Sequence, residues 1–274
     1  MAQISILGCG WLGFPLAKAL LEKGFSVKGS TTSTEKLSTM GNSGISPFLI
    51  HLESNKIIGD IKTFLRGSKT LIIDIPPKLR ENSKDPSTVL RMTFVEKIET
   101  LIPFIEKSTI ENVLFISSTS VYGEDNSVVT EKTIPQPDSE SGRQLTQSEQ
   151  LLQNNPNFKT TILRFGGLIG EDRHPIKFLT GREHLENPDA PINLIHQEDC
   201  IGIILKIMEH NCWDETFNAV APFHPSREDY YTQKAMDFNL ALPRFNHEKH
   251  SVGKTILSNK IETVLSYTFT KPNL

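Results

Sequence analysis

Three observations predict an α/β protein built on a doubly wound parallel sheet. Short apolar runs alternate with longer amphipathic segments, the pattern of repeated βαβ units. The first run leads straight into a glycine-rich turn and then into a helical pattern. Beyond Gly170 the regularity fades, and Pro175, Pro188, Pro191, Pro222 and Pro225 cut the chain into shorter pieces. A parallel-sheet core over 1–170 is therefore expected, followed by a smaller, loop-rich part over 171–274. The pieces near 192–220 are placed to pack back on the core.

The expected strands are 3–7, 26–29, 47–52, 70–75, 113–117 and 159–165. Each is a short apolar run bounded by polar residues or glycine, as strands buried on both faces tend to be. After the glycine turn, Leu12, Leu16 and Leu20 step by four along a helix, and Pro15 falls early enough in it to be tolerated. Leu90, Phe94, Ile98, Leu101 and Ile105 step by three or four along a second helix, whose end Pro103 is expected to kink. A third helix is expected over 199–209, with Asp199 as N-cap and Ile201, Ile204, Leu205 and Met208 on one face.

Composition narrows the function classes. The chain has 274 residues, 37% apolar, with 29 cations against 32 anions and a formal net charge of −3. No global basic field exists to attract nucleic acid or an anionic membrane surface, so neither is an expected partner. The longest charge-free stretch, 1–17, lacks the basic start of a signal peptide and is shorter than the roughly 20 apolar residues that span a bilayer. Cys9, Cys200 and Cys212 form no C-x-x-C pair, which suits a reducing compartment. The expectation is a soluble, cytoplasmic protein without a metal centre.

The strongest chemical signal is Gly8-Cys9-Gly10-Trp11-Leu12-Gly13 between the first strand and the first helix. In G-x-G-x-x-G the first glycine permits the tight turn, the second lets backbone approach a pyrophosphate, and the third lets helix and strand pack closely. The helix N-terminus then offers free N–H groups to the phosphates. This reads as a Rossmann-type dinucleotide site, with Gly8, Gly10, Trp11, Leu12 and Gly13 against the cofactor; the plainer alternative is an ordinary tight turn. NAD sites of this kind place a carboxylate at the end of the second strand to bind the ribose. Here Ser30, Thr31 and Thr32 stand there, with Lys36 close behind. Hydroxyls and a cation suit the 2′-phosphate of NADP, so NADP is expected over NAD. Pro76, Ser117 and Gly166, at the ends of later runs, complete the expected cofactor set.

The fifth run ends in Ser117-Ser118-Thr119-Ser120-Val121-Tyr122-Gly123, which resembles the S-S-x-x-V-Y-G signature of extended short-chain dehydrogenases/reductases, the nucleotide-sugar epimerase/dehydratase group. Leu163-Arg164-Phe165-Gly166-Gly167-Leu168-Ile169-Gly170 is similar to that family's L-R-p-g-n-v-Y-G, with Ile169 in the tyrosine's place. Asn193-Leu194-Ile195-His196-Gln197-Glu198-Asp199 is similar to its v-H-v-x-D, and Phe217-Asn218 to its Y-N. The resemblance spans residue 3 to about 220 and implies hydride exchange with a bound NAD(P). One departure stands out. The family's Y-x-x-x-K, which supplies the acid/base tyrosine and a lysine that lowers its pKa, falls on Ser141 and Leu145, and no tyrosine lies between Tyr122 and Tyr230. The chain thus resembles an atypical member of the superfamily.

Ser118, at the family's substrate-hydroxyl serine, and Tyr122 are the remaining candidates for chemistry. Ser118 reads equally as a local backbone cap, and Tyr122 as a packing residue. Arg143, Arg173 and Lys177 are candidate binders of an anionic substrate. His174, His196 and Cys9 lie near the expected cleft but read first as packing residues. Two classes survive: an oxidoreductase or epimerase/dehydratase-like enzyme acting on a small molecule, and a non-catalytic NADP(H) sensor. The helices near 88–107 and 141–154 match those that pair as a four-helix homodimer interface in relatives.

Overall fold

The computed structural model describes residues 3–53, 55–77 and 94–274. In chain order its elements are β1 (Gln3–Leu7), α1 (Gly13–Glu22), β2 (Ser26–Thr31), α2 (Glu35–Asn42), β3 (Ser46–Leu49), β4 (His51–Leu52), β5 (Ile57–Ile58), α3 (Ile61–Leu65), β6 (Thr70–Ile73) and α4 (Phe94–Glu106). There follow β7 (Asn112–Ser118), a 3₁₀ turn (Thr119–Val121), β8 (Val128–Val129), α5 (Glu140–Gln153), β9 (Lys159–Phe165), β10 (Gly167–Ile169), α6 (Ile176–Leu179), β11 (Leu194–His196), α7 (Gln197–His210), β12 (Thr216–Ala219), α8 (Arg227–Asp237), β13 (Thr255–Ile256) and α9 (Asn259–Leu265).

Seven of the strands form one parallel sheet in the order β12-β9-β7-β6-β1-β2-β3. The chain starts in the middle, winds outward to β3, then crosses back to β6 and winds out the other way. That reversal leaves a crevice between the C-terminal ends of β1 and β6, where doubly wound sheets bind ligands.

Period-two alternation sends each strand's side chains to two cores. Ile4, Ile6, Ile72, Leu114, Leu163 and Phe165 face α1, α7 and α9, while Leu7, Leu71, Ile73, Val113, Phe115 and Ile162 face α3, α4 and α5. Both faces are covered, so the strands are nearly continuous apolar runs. A third, smaller core of Ile169, Ile176, Ile192, Leu194, Tyr230, Tyr231 and Ala235 lies under α6 and α8. The second half of the chain therefore divides: α6 and α8 build that satellite, while β12, α7 and α9 pack back on the main sheet.

Several boundaries differ from expectation for identifiable reasons. The helix expected over 199–209 starts at Gln197, capped by His196, whose Nδ1 accepts the Glu198 amide at 3.2 Å. Asp199 is not its N-cap: it is fully buried and accepts from the Tyr267 hydroxyl and the Thr270 and Lys271 amides. The run expected to be one strand over 47–52 is broken into β3 and β4. The expected strand 70–75 ends at Ile73, which leaves Asp74 in the crevice. α4 continues through Pro103 to Glu106, while Leu90 lies outside the described residues.

Candidate functional site

The crevice is built around the glycine turn. Gly8 has φ +110°, and a Cβ there would sit 2.2 Å from the Asp74 carbonyl oxygen, so no other residue fits. A Cβ on Gly13 would sit 2.2 Å from the Gly8 carbonyl oxygen, the close helix–loop packing expected of the third glycine. Gly10 is the exception. A Cβ there meets nothing within 4 Å, so open space lies over the middle of the turn. Leu12 caps α1 without a side-chain hydrogen bond, and no acid occupies the first turn. The positive end of the helix is thus presented to that space.

The turn is clamped to β2, since Cys9 N–H donates to the Ser30 carbonyl at 2.7 Å and Gly8 N–H to Ser30 Oγ at 2.9 Å. Thr31 Oγ1 accepts the Ser33 amide at 3.1 Å. Thr32 and Lys36 are exposed on the rim. Pro76 is exposed at the lip beyond β6. Cys9 packs under Gly29 and Met40, and burial, with the nearby Asp74 charge, pushes its thiol up to about 12. It is a packing residue.

Trp11 reaches out of the turn. Its Nε1 donates to Asp172 Oδ1 at 2.8 Å, its ring lies 5.0 Å from the Arg173 guanidinium, and its edge abuts Gly170. Gln197 Nε2 donates to the Trp11 carbonyl at 2.7 Å. The glycine turn is therefore tied to the second half of the chain at two points.

At the end of β7 the polar residues form a buried network. Ser117 Oγ donates to Glu149 Oε1 at 2.5 Å, and Arg164 grips Glu149 with Nε at 3.0 Å and Nη2 at 2.6 Å. Arg164 Nη1 donates to the Tyr122 hydroxyl at 2.6 Å, which donates in turn to Asn218 Oδ1 at 2.9 Å. Tyr122 is 2% exposed, and burial raises its pKa. Its hydroxyl has partners on both sides, an arrangement that orients the strand ends. Ser118 Oγ accepts the Ser120 amide at 3.1 Å as cap of the 3₁₀ turn. Ser141 lies in the first turn of α5, and Leu145 is buried in the core one turn later.

The other candidates are dispersed. Gly166 is buried where a Cβ would sit 2.6 Å from the Asn193 carbonyl oxygen. His174 Nδ1 accepts the Ile176 amide and its Nε2 lies 3.0 Å from the Tyr230 hydroxyl, and burial lowers its pKa to about 4. Arg143 is exposed and held by Glu140, on the edge of a recess of about 780 Å³ that Tyr122, Gly123, Gln136 and Pro137 also line. Lys177 is exposed and donates to the Asp172 carbonyl at 3.3 Å. A second recess, about 580 Å³, lies beside Leu65, Arg66 and Phe104, between the ends of α3 and α4. Among the described residues no cluster of three or more His, Cys, Asp or Glu could hold a metal, and no helix is long and apolar enough to cross a membrane.

Sequence reasoning missed Asp74. Its carboxylate accepts the Gly13 amide and comes 3.0 Å from an ideal Cβ at Gly13. The signal was its place at the end of the fourth run, hidden by Ile75, which prolongs the run by one apolar residue.

Comparison with known proteins decides the lineage. Residues 4–219 match the family model described as NAD dependent epimerase/dehydratase family. The chain belongs to the NAD dependent epimerase/dehydratase family. It is 32% identical to Protein YeeZ of Escherichia coli (strain K12), over all of this chain and 97% of that one. A functionally unknown conserved protein from Silicibacter pomeroyi superposes with a TM-score of 0.78 at 22% identity, covering 100% of this chain and 95% of that one. UDP-glucuronic acid 4-epimerase from Bacillus cereus, solved in complex with NAD, superposes with a TM-score of 0.79 at 18% identity, covering 98% and 91%. The sheet described above is thus the family's fold. The turn fits the cofactor in the family's name: Gly8 and Gly13 have no room for a Cβ, and open space lies over Gly10 between them.

Proposed function

We propose that this family member binds a nicotinamide dinucleotide in the crevice between β1 and β6, and that it exchanges hydride between that cofactor and a small molecule. The observation that carries the reading is the open space over Gly10, with the start of α1, which its own N-cap Leu12 leaves without a side-chain bond, beneath it. The start of α1 suits a pyrophosphate, because its positive dipole end lies beside that space, with the Gly13 amide taken by Asp74. When bound, the dinucleotide supplies the hydride donor or acceptor, and the chain supplies orientation. We assign the preference to NADP over NAD, because the end of β2 carries no carboxylate and the exposed Thr32 and Lys36 stand on the rim.

A second reading, a non-catalytic sensor of the NADPH/NADP balance, draws on a specific observation. Tyr122 is locked between Arg164 and Asn218, and the sequence resemblance puts Ser141 and the buried Leu145 where the family's proton-handling pair would fall. A buried leucine supplies no charge to lower a donor's pKa. Calorimetric titration with NADPH, NADP and NAD tests the binding shared by both readings. A screen of small-molecule substrates, following absorbance of the reduced cofactor, separates them: turnover of any substrate supports the enzyme, and tight binding without turnover supports the sensor.

A further inference from the structure

Asp74 is an acid in an unexpected place. It follows β6 directly at the crevice, where its carbonyl oxygen presses on Gly8 and its carboxylate accepts the Gly13 amide at the start of α1. The residue is half-buried as a whole, but its carboxyl is enclosed. The groups that face it are known from each packed element. The Gly13 N–H of the glycine turn bonds it, and its charge reaches the Cys9 thiol of that turn and the Cys200 thiol of α7. Both thiols are held neutral, their pKa values raised by burial. Lys36 acts on Cys9, and among the described residues no cation pairs with Asp74.

A carboxylate bonded to the first amide of α1 stands beside the space assigned above to a pyrophosphate. Two like charges at such range disfavour each other's ionised forms, and the phosphates of a dinucleotide stay ionised near neutral pH. The carboxylate is therefore the partner that yields. We propose that Asp74 takes up a proton when the dinucleotide binds, so that a neutral carboxyl, able to donate a hydrogen bond, faces the pyrophosphate. The group is already prepared for this: enclosure pushes its carboxyl up to about 8, against the lowering effect of the Gly13 amide. Asp74 thereby couples cofactor affinity to pH. The inference rests on the dinucleotide reading above.

The sign of the coupling follows from linkage. A group whose pKa rises on binding draws in a proton, and affinity falls as pH climbs above its free value. The test is calorimetric titration of the whole protein with NAD, whose phosphodiesters do not titrate near neutrality, in two buffers of different ionisation enthalpy between about pH 7 and 9.5. The expected result is uptake of up to one proton, growing above pH 8, with affinity falling toward tenfold per pH unit. Asp74→Asn keeps the shape of the side chain and removes its charge; it is expected to bind NAD more tightly than wild type above pH 8, with no uptake. Binding without proton uptake, or uptake that persists in Asp74→Asn, would overturn the inference and leave the dinucleotide reading intact. No binding of either NAD or NADP by wild type at any of these pH values would remove both.

Discussion

The Trp11 indole, inside the glycine turn, donates its N–H to Asp172, 161 residues further along the chain, at 2.8 Å. With Arg173 on the ring face and Gln197 on the Trp11 carbonyl, the bond fastens the cofactor turn to the second half of the chain. A typical hydrogen bond contributes about 0.5 to 1.5 kcal/mol net, and solvent screening keeps this exposed bond to a carboxylate near that range. Asp172→Ala is therefore expected to weaken dinucleotide binding by roughly two- to tenfold. Trp11 and Trp213 are the two tryptophans of the chain, so Trp213→Phe isolates the relevant fluorescence. In that background the emission of Trp11 is expected to change on dinucleotide binding and on removal of Asp172; an emission that responds to neither contradicts the clasp.

Arg164 and Glu149 are 5% and 2% exposed, and each closes the other's hydrogen bonds. Removing one partner strands a buried charge, which costs about 3 to 5 kcal/mol. Glu149→Ala is expected to lose that much in denaturant unfolding. Tyr122→Phe, which leaves Arg164 its carboxylate but strands one Arg164 donor and the Asn218 oxygen, is expected to lose about 1 to 3 kcal/mol. If Tyr122→Phe instead removes turnover while stability is unchanged, the tyrosine does chemistry and the positioning role assigned to it fails.

His174 is held neutral in the fold. Its Nδ1 accepts the Ile176 amide, and burial, with Lys234 and Lys177 nearby, lowers its pKa from 6.5 to about 4. The unfolded chain therefore binds the extra proton between those two values. Stability is expected to be full above about pH 6.5 and to fall by at most about 1.4 kcal/mol per pH unit toward pH 4. Denaturant unfolding at several pH values reads this, and His174→Gln is expected to flatten the profile over that window. An unchanged slope in the variant would place the acid sensitivity elsewhere.

α4 and α5 pack against each other, and the groove between them, lined by Val95, Ile102 and Leu151, opens to the surface. We propose this groove as the seam of a homodimer, the pairing that the sequence resemblance implies for these two helices. Light scattering is expected to give a dimer, and Leu151→Glu, which places a charge in the groove, is expected to give a folded monomer. A monomeric wild type contradicts that expectation.

Local signals carried much of the fold. The strands 3–7 and 159–165 match β1 and β9 residue for residue, because their apolar runs end against polar residues or glycine. The turn's three glycines were legible from their spacing, and Gly8 and Gly13 carry the local steric reasons that the spacing implies. What escaped depends on distant neighbours. Asp199 looks like an N-cap until the 270–271 turn folds over it. Asp74 looks like strand interior until β6 stops two residues early, and the Trp11 clasp joins segments that share no local pattern. The lock on Tyr122 needs Arg164 and Asn218 from two other strands.

Gly10 concentrates the central claim in one position. A methyl group there meets no protein atom within 4 Å but enters the space assigned to the pyrophosphate, so Gly10→Ala separates folding from binding. The decisive measurement is calorimetric titration of wild type and Gly10→Ala with NADP and NAD, beside a thermal melt of each. The account predicts one dinucleotide bound per wild-type chain, NADP more tightly than NAD, and a Gly10→Ala protein that melts as wild type does but binds at least tenfold more weakly. Absence of heat with either dinucleotide in wild type, or undiminished affinity in Gly10→Ala, would contradict it.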